Sequence, residues 1–336
     1  MTKSFNFSAN STSHEQWIEV EGLVSCLVLS LAFLVGAPGN LLVIWTIVQH
    51  VKQRSHTVVL ILHLAVADLL VLITLPVWIY SVARSWVFGE VTCKVMVYII
   101  VACMYSSVFL ITTMSAERFL AVKYPFWMLR WKTRDAMSKC LVVFWVLAFA
   151  LGIPAILTSY VDEEEDGHHR CVFYEHDSVV LEVLCSCLET VLGFIVPFFT
   201  ITVCYCCVAS QLRHLHSGIK QKSAILIGSV VVAFVLCWLP HHIINIIQMV
   251  NILTDSEELS DATQQATFIS GALVFISSSV NPILYVFTAR NFEGSLRKSS
   301  LVKMFQDLTS YAVKTRAVSV LGHGQGQGQG QGWCHG

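Results

Sequence analysis

Charge is what this sequence has least of. Only 13% of its 336 residues are Asp, Glu, Lys or Arg, where soluble domains carry roughly 25%. Hydrophobic residues make up 55%, and the mean hydropathy is +0.66. A soluble fold of this length needs a polar surface that this composition cannot supply, so the chain reads as a membrane protein. The net charge of −1 provides no bulk field for nucleic acid. Neither a phosphate loop nor a nucleophile–base set appears, so an enzyme is not expected. Zinc spacing is missing as well. The pairs His168-His169 and His241-His242 are adjacent residues that cannot share a helix face, so no metal site is expected.

The few charges divide the chain. Gly22–Val51, Val95–Ala116, Cys140–Val161, Ser223–Thr254 and Ala262–Ala289 contain none. Ser55–Ala83 holds only Asp68, and Val183–Leu212 only Glu189. A bilayer core about 30 Å thick needs about 20 helical residues, so seven spans result. Helix is required because lipid offers no partner to open backbone groups. Pro38, Pro76, Pro154, Pro197, Pro240 and Pro282 fall inside six of the spans, a density that a bundle tolerates and a lone soluble helix would not. The first span is too long for a cleaved signal peptide and has no basic region before it. The expected fold is all-α, a seven-helix bundle. The expected divisions are an arm at 1–21, a bundle at 22–289 and a tail at 290–336.

Positive charge sets the orientation. Of 21 Lys and Arg, 16 lie after the odd-numbered spans, four lie on the other face (Lys3, Arg84, Lys94 and Arg170), and Arg118 sits at a boundary. The amino terminus is therefore expected outside and the carboxyl terminus inside. The sequons at Asn6 and Asn10 fall on the outer arm. Two of the 12 cysteines, Cys93 and Cys171, lie on the outer face, where an oxidising compartment favours a bridge between them. The run from Asp162 to Asp166 on the same face reads as a solvated acidic loop. Phe292, Leu296, Leu301, Phe305 and Leu308 recur at roughly helical spacing, which predicts a short helix on the inner leaflet in contact with membrane lipids. Gln and Gly alternate from Gly322 to Gly332, a stretch that cannot pack a core.

Polar residues inside the spans are costly and therefore functional candidates. Asp68 can be faced by Asn40, Ser107, Ser277, Ser278 and Asn281. That group suits either a sodium or proton site or a protonated Asp sharing hydrogen bonds. Glu117 and Arg118 end a charge-free run of 22 residues, about 33 Å of helix, which places them at the inner boundary. Arg118 there is either one half of a bistable pair or a cation that snorkels to water. Trp238 stands two residues before Pro240. Asn281 precedes Pro282, with Tyr285 one turn on. Singly, these patterns also fit helix packing in a transporter.

Together and in this order, Gly39-Asn40, "LAVADLL", "ERF", Trp145, Pro197 with Tyr205, "CWLP" and "NPILY" resemble the rhodopsin-like G-protein-coupled receptor family. The sequence has Glu-Arg-Phe where the family more often has Asp-Arg-Tyr, so the ion pair is kept and a phenol lost. The resemblance implies that Arg118, Tyr205 and Tyr285 rearrange on activation and open an inner cleft for a G protein. It also implies phosphorylation of tail serines and threonines by receptor kinases, then arrestin binding. No lysine lies between Lys222 and Lys298 to hold retinal, and no carboxylate lies in Val95–Ala116 to hold an amine.

"TLPVW" and "WVFG" resemble the chemoattractant branch. "LETVLGFIVPF" and "WLPHHIINIIQ" resemble the leukotriene B4 receptors most. This likeness implies a plasma-membrane receptor for a small lipid agonist, leukotriene B4 or a related hydroxy fatty acid, coupled to an inhibitory-class G protein. The implied pocket residues are Tyr98, Met104, Tyr105, Glu189, Trp238, His241, His242, Asn245 and Gln248. A chemoattractant peptide or chemokine-like agonist is the alternative within the family. An ion-coupled transporter using Asp68 is the alternative outside it.

Overall fold

The computed structural model describes residues 4–51, 55–124, 134–163, 167–172, 179–212, 218–254, 270–285 and 306. Among the described residues, six helices are long and apolar enough to cross a membrane: Gly22–His50, His56–Ala83, Gly89–Glu117, Ala136–Leu157, Val179–Val208 and Val231–Thr254. The seventh span appears as the shorter apolar helix Ser270–Tyr285. The expected seven-helix bundle is thus present. The predicted interfacial helix lies outside the described residues apart from Gln306, whose Nε2 donates to the His50 carbonyl at 3.3 Å.

The third span is the axis. Val97, Val101, Met104, Tyr105, Val108, Ile111 and Met114 are all buried, and they recur at the three- and four-residue intervals that line up one helix face. This span packs against the second, fourth, fifth and sixth. The fourth span does the opposite. Val142, Val143, Val146, Leu147, Phe149 and Ile153 are exposed, an apolar face that lipid suits and water does not. Several hydroxyls inside the spans bond their own helix: Ser106 donates to the Ala102 carbonyl, Thr112 to Val108, Ser115 to Ile111 and Thr202 to Phe198.

Three of the departures from the charge-gap reading have a local cause. The first helix runs back to Ser4, because no Gly or Pro stops it between Ser4 and Glu21. The second span breaks into His56–Leu72 and Leu75–Ala83. Pro76 has no N–H for the Leu72 carbonyl, and at the break Thr74 Oγ1 donates to the Val71 carbonyl at 2.7 Å. The fifth span begins at Val179 and contains a π-helical turn at Val191–Ile195, immediately before Pro197. Here the missing proline donor meets a local widening of the helix.

The first and seventh spans meet on glycine. A β-carbon on Gly36 would lie 2.9 Å from Ser279 Cα and 2.8 Å from Leu72 Cδ1. The first obstacle is backbone and cannot rotate away. Gly36→Ala is therefore expected to lower the thermal stability of detergent-purified protein, at a cost of about 1–3 kcal/mol from overpacking. Gly22→Ala, where nothing lies within 4 Å, is the control and should be neutral or mildly stabilising. Equal melting temperatures for the two variants would remove the close-packing account.

Candidate functional site

At the end of the bundle that holds Cys93, the two described cysteines of the sequence reading form a disulfide, Cys93–Cys171. It ties the head of the third span to strand β2 (His169–Val172), which pairs antiparallel with β1 (Tyr160–Glu163). The hairpin is held from the other side as well. The Trp86 amide donates to the His169 carbonyl at 2.8 Å, and the His169 amide donates to Ser85 Oγ at 2.9 Å. Trp86 is buried beneath it, and its ring N–H donates to the Gly89 carbonyl. Gly89 has a φ of +78°, which a glycine adopts without strain. Lys94 is paired with Glu90 one turn earlier.

Below the hairpin, a polar cluster joins the fifth and sixth spans. Glu189 stands just before the π-helical turn and is only 3% exposed. Its Oε1 lies 3.0 Å from His241 Nε2, and Asn245 Nδ2 lies 3.4 Å from the same nitrogen. An Nε2–H directed at the carboxylate makes the shorter contact the stronger, charge-assisted one. His242 is 1% exposed and stacks on Phe194, with ring centroids 4.8 Å apart. Among the described residues, neither of its ring nitrogens has a hydrogen-bond partner. A β-carbon on Gly193 would touch Tyr105, His242 and Met104, so the bare backbone there is where these three side chains converge. Of the predicted pocket residues, Met104, Tyr105, Glu189, Trp238, His241, His242 and Asn245 come together.

Tyr98 does not join them. Its hydroxyl donates to the Phe149 carbonyl at 3.1 Å, and its ring lies over Gly152 of the fourth span. The sequence placed it on the pocket by analogy, but its helix face turns the ring toward the neighbouring helix instead. Gln248 lies one turn beyond Asn245 and is half-buried.

A second cavity lies deeper in the bundle. Asp68, Ser107, Ser277, Ser278 and Asn281 line it, and Met104 and Trp238 also contribute walls. A water-sized sphere can reach about 10 Å³ of it, roughly the room for one water or small cation. Asn281 Nδ2 donates to Asp68 Oδ2 at 2.7 Å. Trp238 Nε1 donates to Ser277 Oγ at 3.3 Å, which links the floor of the upper cluster to the lower cavity. Asn40 is not part of this cavity wall. Its amide donates to the Gly36 and Ser278 carbonyls at 3.0 Å each and pins the first span to the seventh.

At the opposite end, Glu117 is buried and accepts a hydrogen bond from Thr57 Oγ1 at 2.9 Å, with His56 Nδ1 4.0 Å away. Arg118 follows on the same helix, and its side chain lies outside the described residues. Tyr285 is buried, Pro282 lies against Gly39, and Tyr205 is exposed at 42%. The sequence reading missed Thr57 and His56. The signal was there: Ser55 opens a run whose one charge is Asp68 and caps its helix by accepting from the Val58 amide, which puts Thr57 in the first turn at the depth of Glu117. It also left unread the bond from Trp145 Nε1 to His63 Nδ1 at 3.2 Å.

Comparison with known proteins places this architecture. A profile of the "7 transmembrane receptor (rhodopsin family)" matches residues 39–285. Human "Leukotriene B4 receptor 1" is 30% identical over 322 residues, covering 94% of this chain and 91% of that protein. "Leukotriene B4 receptor 2" of Rattus norvegicus is 34% identical over 299 residues, 86% and 82% of the two chains. "C5a anaphylatoxin chemotactic receptor 1" of Oryctolagus cuniculus is 32% identical over 281 residues, 82% and 79%. These relatives are receptors and not enzymes. With a family match over most of its length and a bundle to go with it, this chain belongs to the rhodopsin family of seven-transmembrane receptors.

Proposed function

We propose that this receptor binds a hydroxylated fatty acid, leukotriene B4 or a close relative, and activates a heterotrimeric G protein of the inhibitory class. The carrying observation is the upper cluster. A buried carboxylate at Glu189 and two unpartnered ring nitrogens at His242 stand among Met104, Tyr105, Phe194 and Trp238. An acyl chain suits the apolar walls, and a chain hydroxyl suits the His242 ring nitrogens. A buried polar group left without a partner costs free energy, so a hydroxyl that bonds His242 offsets that cost. The similarity to leukotriene B4 receptors supports the same reading.

The proposed setting is the plasma membrane, amino terminus outside, with Asn6 and Asn10 glycosylated. The proposed switch comprises Glu117, Arg118, Tyr205, Trp238, Asn281, Pro282 and Tyr285. Asp68 with its neighbours is the proposed sodium site, supported by a carboxylate, hydroxyls and room for one small ion. Receptor kinases and arrestin are proposed to act on the tail, whose serines and threonines lie outside the described residues.

A screen in transfected cells tests the ligand. It reads cyclic AMP and calcium after leukotriene B4, other hydroxy fatty acids and chemotactic peptides. A lipid response at nanomolar concentration is expected. Glu189→Ala and His242→Leu should each weaken it by about 10- to 100-fold, the scale of one lost hydrogen bond to a buried or charged group. A nanomolar response to peptides alone would overturn the lipid assignment. The carboxylates Glu90, Asp162 and Glu163 at the mouth are exposed and favour a basic peptide as the second reading.

A further inference from the structure

Tyr205 of the fifth span and Gly228 of the sixth lie in contact. A β-carbon built on Gly228 would come 2.7 Å from Tyr205 Cε2 and 2.8 Å from Cζ, and closer still to the hydroxyl oxygen. Real β-carbons do not approach heavy atoms so closely. The phenol ring therefore rests on bare backbone, in a space that only glycine leaves open. Glycine weakens a helix interior by about 1 kcal/mol relative to alanine, and the glycine at this position is what gives the ring room.

Little else described holds the ring. Tyr205 is 42% exposed. The atoms that would clash form the far end of a side chain with two rotatable bonds. An added methyl would thus move the ring and leave the two backbones where they are. This differs from Gly36, where the obstacle is backbone.

We propose that Gly228 is a positioning residue: its missing side chain is the seat that holds Tyr205 against the sixth span in the closed bundle. An inner cleft beside the third span requires the sixth to part from its neighbours, and a ring seated on its backbone opposes that parting. Loss of the seat shifts the balance toward the open form. The signalling half of the inference rests on the switch role proposed above for Tyr205, whereas the seat itself does not.

The test is a double-mutant cycle in the full-length receptor with two readouts. One is the melting temperature of purified protein, and the other is nucleotide exchange on a G protein without agonist. Gly228→Ala alone should lower the melting temperature by about 2–4 °C and raise basal exchange by about two- to tenfold. Tyr205→Phe keeps the ring, so Gly228→Ala should have the same effect in that background. Tyr205→Ala removes the ring, and there Gly228→Ala should cost no stability. If Gly228→Ala alone fails to reach the surface, its rescue by Tyr205→Ala supports the seat. An equal loss in the wild-type and Tyr205→Ala backgrounds, or none in either, overturns it. Coupling in the melting temperature without any rise in basal exchange would support the seat and overturn the switch role of Tyr205.

Discussion

Receptor carrying Cys93→Ser or Cys171→Ser is expected to be scarce at the cell surface and to bind agonist poorly where it arrives. The bridge joins residues 78 positions apart, so it closes a long loop, and losing a native disulfide typically costs about 2–5 kcal/mol. What remains to hold the hairpin is weaker. The Trp86–His169 and Ser85–His169 bonds are worth roughly 1 kcal/mol each, and the second of them is exposed. The hairpin would then swing free of the third span, above the cluster built on Glu189 and His241. Surface staining against total receptor, with the melting temperature of the purified fraction, measures the loss. The double variant should be no worse than either single one, because one bond is removed in every case. Normal surface levels in the single variants, or additive damage in the double, would contradict this account.

The second large effect is expected at the other end. Thr57→Val keeps the shape of the side chain but removes the hydroxyl that bonds Glu117. A hydrogen bond to a charged group contributes about 1.5–3 kcal/mol. Its loss weakens the hold of the second span on Glu117, which His56 of the same span also approaches. Basal nucleotide exchange should rise by up to about tenfold, a shift bounded by that free energy, and Glu117→Ala should do the same or more. Arg118→Ala, in receptor that reaches the surface and binds agonist, should lose nearly all agonist-driven exchange. Unchanged basal exchange in Thr57→Val would remove Thr57 from the mechanism. Unchanged coupling in Arg118→Ala would remove Arg118 from the proposed switch.

Different physical causes decide what the sequence disclosed and what it concealed. The spans were legible because the cost of burying charge in lipid leaves gaps that can be counted. Their ends were not, since backbone chemistry sets them: the break at Ile73–Thr74 depends on Pro76, and the π-helical turn depends on Pro197. The residues of the upper cluster could be named by likeness, but their partners could not. That His241 meets Glu189 while His242 turns onto Phe194 follows from their places around the sixth span. Tyr98 was misplaced because sequence position gives depth in the membrane more readily than direction around a helix. Thr57 went unread because a hydroxyl in an apolar run commonly bonds its own helix, as Ser106 and Thr112 do, and only its depth beside Glu117 marks it as one that reaches across.

The π-helical turn at Val191–Ile195 sets the azimuth of everything above it. One residue of an α-helix corresponds to about 100° of rotation. Deleting one residue of the turn, Leu192 for example, would restore the α-helical ladder and leave Val179–Thr190 in place. Wound as an ordinary α-helix with no residue removed, the same sequence would instead rotate Val179–Thr190 by about that angle. Glu189 would leave His241 and point along the bilayer, while Val180 and Leu184, now exposed to lipid, would be turned from their present direction. The polar cluster between the fifth and sixth spans thus depends on how the turn takes up one surplus residue as much as on its own side chains.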